Sequence, residues 1–255
     1  MREPGWRLAG CSVCGAGHEK TGLPCQDAHC WRELRPGLVV IAVADGAGSA
    51  PLSQVGAEAA AATAVAHVCA RVDLPAEGAN SDVYWQELLN EAVAAARSAV
   101  ESEAVTRSTS AGELATTLIV VVAGRNFVAA AQIGDGAVII EESGAMQSLV
   151  RPAATEYLNE TIFLTSADGP NSQQTVIWRG RPSYLAVMSD GLQMAALRMP
   201  AGDPHPGFFK PLFQFLSQQE DSSAAGQALK EFLSSPRLRQ RTDDDVTLVM
   251  AAMLD

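Results

Sequence analysis

The 255-residue chain has no apolar run approaching the ~18 residues that suggest a membrane span, and its opening, MREPGWRLAG, lacks the apolar core of a signal peptide. A soluble, cytoplasmic protein is the expectation. Positive charge is also scarce. Eighteen Lys+Arg stand against 29 Asp+Glu, and the formal net charge of -11 repels a nucleic-acid backbone or an anionic membrane surface. Neither nucleic acid nor membrane is expected as a partner. Repeats and low-complexity tracts are missing too, so residues 1–255 read as one continuous folded domain, with 47% hydrophobic residues ample for a core.

Cysteine is sparse and odd in number: Cys11, Cys14, Cys25, Cys30 and Cys69 do not fit a fully paired disulfide framework, and reduced thiols are the simpler reading. A zinc site is the sharper alternative, because Cys11 and Cys14 form a C-x-x-C pair followed closely by Cys25 and Cys30. The second pair is spaced wider than a zinc knuckle. The first lies in LAGCSVCGAG, which reads as a small-residue strand packed in a core.

What the chain does contain is a set of short apolar runs with the look of buried strands: LVVIAVA from Leu38, TTLIVVVA from Thr116, FVAAAQI from Phe127, YLAVMS from Tyr184 and VTLVMAAML from Val246. Between the first two lie alanine-rich segments, from Ser53 to Val72 and from Ser81 to about Val105, whose composition favours helix. Ser81 is a candidate N-cap for the second. A further helical stretch runs from Pro206 through Leu233, interrupted between Gln218 and Ser223. Strands, two adjacent helices, more strands, then a late helix and a last strand argue an α+β fold rather than a regular βαβ alternation.

Three aspartates fall at the ends of these strand-like runs. Asp45 closes VVIAVA and precedes Gly46, Asp190 closes LAVMS and precedes Gly191, and Asp244 lies in an Asp-Asp-Asp triplet just before VTLVM. A carboxylate at the end of a buried strand is held rigidly, and a following glycine lets the backbone turn sharply. If these strand ends converge, the like charges need a compensating cation. All-oxygen ligation favours Mg²⁺ or Mn²⁺ over zinc. A pair of such ions can activate water for attack on phosphorus. A single Asp-Gly pair is more often just a turn, and Asp168-Gly169 is read that way. Asp135, between Gly134 and Gly136, reads as a hairpin turn or as a structural carboxylate bonded to backbone amides.

Taken in order, PCQDAH, VADGAGS, LATTLIV, QIGDGAV, MSDGL and TDDDVTLV resemble the motif series of the metal-dependent type-2C serine/threonine protein phosphatases, across nearly the whole chain. GHEKTGLPCQDAH, EYLNETIFLTS and PGFFKPLF narrow the resemblance to a bacterial stand-alone subgroup. The resemblance implies a four-layer α-β-β-α sandwich, two antiparallel sheets packed face to face with helix pairs outside. It implies hydrolysis of phosphoserine and phosphothreonine on proteins by a water bridging two divalent cations, Mn²⁺ or Mg²⁺. Phosphorylated proteins are then the substrates, and a Ser/Thr protein kinase acting on the same targets is the opposing partner.

By position, the resemblance makes Asp45 the bridging ligand, with the Gly46 carbonyl completing one site and Asp190 and Asp244 holding the other ion. Asp27 would orient a bound water from behind. The sequence departs from the family at Gln26, where many relatives have Glu, at Ala47, where many have a His acid, and at Gly22, where many have a phosphate-holding Arg. His18 and His29 flank the first motif as replacement acids. A third cation, which bacterial relatives often carry, would find only Glu156 and Glu160 as acids between Leu149 and Thr161. The rival reading is a catalytically silent phosphoprotein-binding module of the same fold. Retention of three costly carboxylates speaks against it.

Overall fold

A computed structural model describes residues 5–72, 81–151, 161–219 and 221–254. In chain order these form β1 (Trp6–Val13), α1 (Ala16–Thr21), β2 (Ala28–Arg35), β3 (Leu38–Ala44), α2 (Ser53–Arg71), α3 (Asp82–Thr106), β4 (Leu118–Ala123), β5 (Phe127–Ile133), β6 (Ala137–Glu142) and β7 (Ala145–Val150). There follow α4 (Gly169–Ser172), β8 (Gln174–Arg179), β9 (Tyr184–Met188), α5 (Gln193–Ala196), β10 (Leu197–Arg198), β11 (Asp203–Pro204), α6 (Pro206–Gln218), α7 (Ser222–Leu233), α8 (Pro236–Arg239) and β12 (Val246–Met253).

Ten of the strands make two antiparallel sheets, ordered β1-β12-β9-β6-β7 and β2-β3-β4-β5-β8. The central strands β3 and β4 are apolar along their whole length because both their faces are covered. In β3, Val39, Ile41 and Val43 point into the space between the sheets, where they meet Val121, Ile140, Val187 and Val249. The alternate residues Val40, Ala42 and Ala44 pack under α2 and α3. The first sheet is covered in the same manner by Phe209, Phe213 and Leu216 of α6 and Leu229 and Leu233 of α7. The layers are therefore helix pair, sheet, sheet, helix pair, the architecture that the sequence resemblance implies.

Small residues set the spacing of the helix layer. Ala57, Ala60, Ala61 and Ala64 line the buried face of α2 at helical intervals, while the larger Trp85, Leu88 and Leu89 of α3 fill the remaining volume. The Ser81 hydroxyl caps α3, accepting from the Tyr84 N–H at 3.1 Å. The stretch from Pro206 breaks after Gln218 and resumes at Ser222, where Asp221 caps the new helix. No helix among the described residues is long and apolar enough to cross a membrane.

One expectation needs correction, and one alternative is ruled out. β5 and β6 lie in different sheets, so the Gly134-Asp135-Gly136 segment is a sheet-to-sheet crossover rather than a hairpin. The cysteines also separate: Cys11 packs into the core under α6 and α7, Cys30 into the core under α2 and α3. The two cores lie on opposite outer faces of the sandwich, so these thiols cannot share one zinc ion. Burial pushes the Cys11 thiol up to about 12, the behaviour of an inert core residue.

Candidate active site

The strand ends that carry aspartate all emerge at one end of the sandwich. Asp27 precedes β2, Asp45 follows β3, Asp135 lies between β5 and β6, Asp190 follows β9, and Asp244 and Asp245 precede β12. Antiparallel pairing makes this possible, because a strand ending at that edge lies beside one beginning there.

Asp45 is fixed through its backbone. Its N–H donates to Thr117 Oγ1 at 3.0 Å, and its carbonyl accepts from the Thr117 N–H at 2.8 Å and from Thr116 Oγ1 at 2.9 Å. The paired threonines of LATTLIV are thus the clamp that aims this carboxylate. The next residue is pressed against its surroundings: a Cβ on Gly46 would sit 2.6 Å from the Gln26 carbonyl oxygen and 2.8 Å from Ser53 Cβ. Only glycine fits there.

The Asp45 and Asp190 carboxyl groups are neighbours, and each perturbs the other. Desolvation first, then the charges of Asp27 and Asp190, raise the Asp45 carboxyl well above its ordinary range. Burial, with the charges of Asp135 and Asp244, pushes Asp190 up to about 6. Asp190 Oδ1 is sealed from solvent without a hydrogen-bond partner.

Asp27 lies behind this pair. Its Oδ2 accepts from Ser189 Oγ at 2.7 Å, and Ser189 Oγ in turn accepts from the Thr247 N–H at 2.9 Å. Its Oδ1 has no partner, and burial pushes the carboxyl up to about 7. Asp244 is exposed at the rim, its Oδ1 accepting from the Asp245 N–H at 2.9 Å. Partial desolvation of its carboxyl and the charges of Asp245 and Asp135 raise it, while His18 opposes the rise.

Asp245 behaves differently. It is buried, and it accepts from the Gly15 N–H at 2.6 Å, the Gln26 N–H at 2.5 Å and His18 Nδ1 at 3.0 Å. It therefore ties the N-terminal segment to the end of the sandwich. Sequence reasoning gave no role to Asp245, took the two threonines only as part of a motif, and read Asp135 as a hairpin turn or a structural carboxylate bonded to backbone amides. Asp135 is held by a Thr161 hydroxyl donating to Oδ2 at 2.8 Å and by Gln193 donating to its carbonyl at 2.7 Å, not by backbone amides. Its glycine flanks were the available signal, since Gly134 adopts φ +116°. Asp168 stands at the start of the one-turn helix α4. Glu156 and Glu160 lie outside the described residues.

The donor set fits a hard cation. Two neighbouring carboxyl groups raised by desolvation, and orphaned oxygens on Asp27 and Asp190, are what a divalent ion would satisfy. Among the described residues no three His, Cys, Asp or Glu side chains close around a common point. Mg²⁺ and Mn²⁺ keep much of their water and need only one or two carboxylates at a time, so an open arrangement suits them better than zinc.

The departures from the family pattern are also placed. Gln26 is buried, its Oε1 unpartnered. Ala47 is buried and offers no proton. Gly22 is the left-handed residue, φ +72°, that ends α1, and no side chain there can hold a phosphate. His29 is drawn away into a polar seam: its Nδ1 bonds Ser12 Oγ at 2.8 Å, its ring stacks on Trp31, and burial lowers its pKa.

Comparison with known proteins agrees with this geometry. The family model described as protein phosphatase 2C matches residues 14–234, a span that includes Asp27, Asp45 and Asp190 but stops short of Asp244. Serine/threonine-protein phosphatase 3 of Escherichia coli (strain K12) is 35% identical over 252 residues, covering 96% of this chain and 98% of the relative. Among solved structures, serine/threonine phosphatase Stp1 from Staphylococcus aureus superposes with a TM-score of 0.67 at 14% identity, over 100% of this chain and 98% of that one. The catalytic domain of the serine/threonine protein phosphatase PstP, in complex with two manganese ions, superposes with a TM-score of 0.62 at 17% identity, covering 98% of this chain and 99% of that one.

Proposed function

The chain belongs to the protein phosphatase 2C family and is a protein serine/threonine phosphatase, and from that premise we propose that Asp45, Asp190 and Asp244, with the Gly46 carbonyl, hold two divalent cations, Mn²⁺ or Mg²⁺. The observation that carries the reading is the Asp45–Asp190 pair, two neighbouring carboxyl groups at rigid strand ends that desolvation raises above their ordinary range, beside an Asp190 oxygen with no partner. The manganese ions of the PstP structure lend support from a protein of the same fold.

Ions bound there would neutralise the phosphate oxygens and supply a nucleophile from water at neutral pH. The chain's own residues do the rest. The Thr116–Thr117 clamp fixes the direction of Asp45. Asp27, held by Ser189, presents its free Oδ1 from behind to orient a water. The substrates on this reading are cytoplasmic phosphoproteins, with a Ser/Thr kinase acting on the same residues as partner. Residues 1–255 serve as one catalytic domain, in keeping with a relative matched over 98% of its own length.

The test is release of phosphate from a phosphothreonine peptide by metal-stripped protein, before and after Mn²⁺, Mg²⁺ or Zn²⁺ is restored. Release that depends on Mn²⁺ or Mg²⁺ is expected. No release with any ion would sink the reading in favour of a silent phosphoprotein-binding module.

A further inference from the structure

An alkoxide leaving from phosphoserine or phosphothreonine is a strong base and has to be protonated as the P–O bond breaks. With Ala47 in the position where many relatives carry a histidine, the proton must come from elsewhere. The sequence has four histidines. His67 lies on the outer helix pair against Glu91, at 3.3 Å, and His205 stands at the start of α6. His29 is committed to Ser12 and stacked on Trp31.

His18 is held in a different way. Its Nδ1 meets the Asp245 carboxylate at 3.0 Å, which fixes the ring's orientation and makes Nδ1 the protonated nitrogen. Asp245 is itself immobilised by the Gly15 and Gln26 amides. The backbone under the ring is tied down as well, since the Gly17 N–H donates to the Asp243 carbonyl at 2.9 Å. On the outer side of α1, Glu19 is clamped to Arg239 by bonds of 2.7 and 2.6 Å.

The other ring nitrogen therefore has a defined direction. His18 Nε2 lies 4.0 Å from the point a Cβ on Gly48 would occupy, against the exposed loop that follows Asp45 and Gly46. The ring is only partly exposed. A histidine oriented through one nitrogen by a buried carboxylate, with the other beside the loop that follows Asp45 and Gly46, has the arrangement of an acid–base group.

We propose that His18, oriented by Asp245, is the general acid that protonates the leaving serine or threonine oxygen. The step rests on the phosphatase reading above. As the oxygen of a water joins phosphorus and the P–O bond to the side chain breaks, the imidazolium proton on Nε2 passes to the departing oxygen. The neutral imidazole then regains a proton from solvent, matching the one released by the attacking water. Asp245 acts as a positioning residue.

The test compares two substrates whose leaving groups differ in basicity. For 4-nitrophenyl phosphate the leaving phenolate is stable and needs no proton, whereas a phosphothreonine peptide does. His18→Ala should lower kcat on the peptide by about a hundredfold, the scale of a lost general acid, and leave the aryl ester within about threefold. His18→Asn, whose amide can still donate to Asp245 but has no Nε2, should show the same split and guards against a folding defect.

A third readout needs no turnover. The imidazole ¹⁵N spectrum of the wild type should show protonated Nδ1 at neutral pH, and Asp245→Asn should lose that preference. Equal losses on both substrates, or no loss on the peptide, would overturn the assignment. A wild type inactive on both esters would instead count against the phosphatase reading itself.

Discussion

The two ends of the sandwich are made of the same parts, turns joining buried strands, but they treat charge in opposite ways. The end away from the aspartates gathers the turns Arg35–Leu38, Gly124–Phe127, Glu141–Gly144 and Arg181–Tyr184 around an open cavity of about 1160 Å³. Its acids have donors: Glu141 accepts from the Gly144 N–H, and Glu142 from the Arg181 N–H at 2.6 Å. At the other end, roughly 20 Å away by strand length, Asp45 and Asp190 face each other, and Asp27 and Asp190 each keep an unpartnered oxygen. A fold selected for stability alone would treat both ends like the first. On the reading proposed above, the second is arranged for something that arrives from solution, a cation.

That contrast can be broken at several points. The largest effect should follow from Asp45→Asn or Asp190→Asn. Each replaces one of the facing carboxylates, and phosphate release from a phosphothreonine peptide should fall by at least about a hundredfold, the scale of a lost transition-state charge interaction. Circular dichroism should stay unchanged, because neither carboxylate joins the core.

Gly46→Ala comes next. The new Cβ would press on the Gln26 carbonyl and Ser53, displacing the backbone that carries Asp45. Peptide turnover should drop by about tenfold or more, and thermal unfolding should come earlier by several degrees, as overpacking of about 1–3 kcal/mol would give.

The pH dependence of the metal-free protein sharpens the comparison further. Asp27 and Asp190, raised to about 7 and about 6, still bind protons in the folded chain at pH values where unfolded carboxylates, at about 4, have lost theirs. Stability contributed by these groups is therefore highest near pH 4 and falls as pH rises through 6 and 7. In calorimetry the metal-free protein should unfold at a lower temperature at pH 8 than at pH 5, and Mn²⁺ should raise the unfolding temperature more at pH 8. The smallest effect belongs to the opposite end. Glu142→Gln should leave turnover unchanged and move the unfolding temperature by no more than a degree or two.

The parts of the fold legible from sequence were those covered on both faces. β3, β4, β5, β9 and β12 announce themselves as unbroken apolar runs, and α2 and α3 by their alanines. β2, β7 and β8 gave no such signal, because each is an edge strand with polar or charged residues: AHCWRELR, AMQSLV and QTVIWR. Asp45, Asp190 and Asp244 stood out by their place at strand ends. Asp245 did not, although it lies in the same triplet, since only the folded chain brings the Gly15, Gln26 and His18 donors to it. Nor could spacing separate His18 from His29. Burial and partners divide them: His29 is enclosed beside Ser12, while His18 faces the Asp45 loop.

The most direct measurement is Mn²⁺ binding to the metal-stripped chain near pH 7.5, followed by electron paramagnetic resonance, for the wild type beside Asp45→Asn and Glu142→Gln. Two ions per wild-type chain, two for Glu142→Gln and a loss of tight binding in Asp45→Asn are the predicted result. Unaltered binding in Asp45→Asn, or no tight binding in the wild type, would contradict the claim that the end of the sandwich carrying the aspartates is built to hold divalent cations.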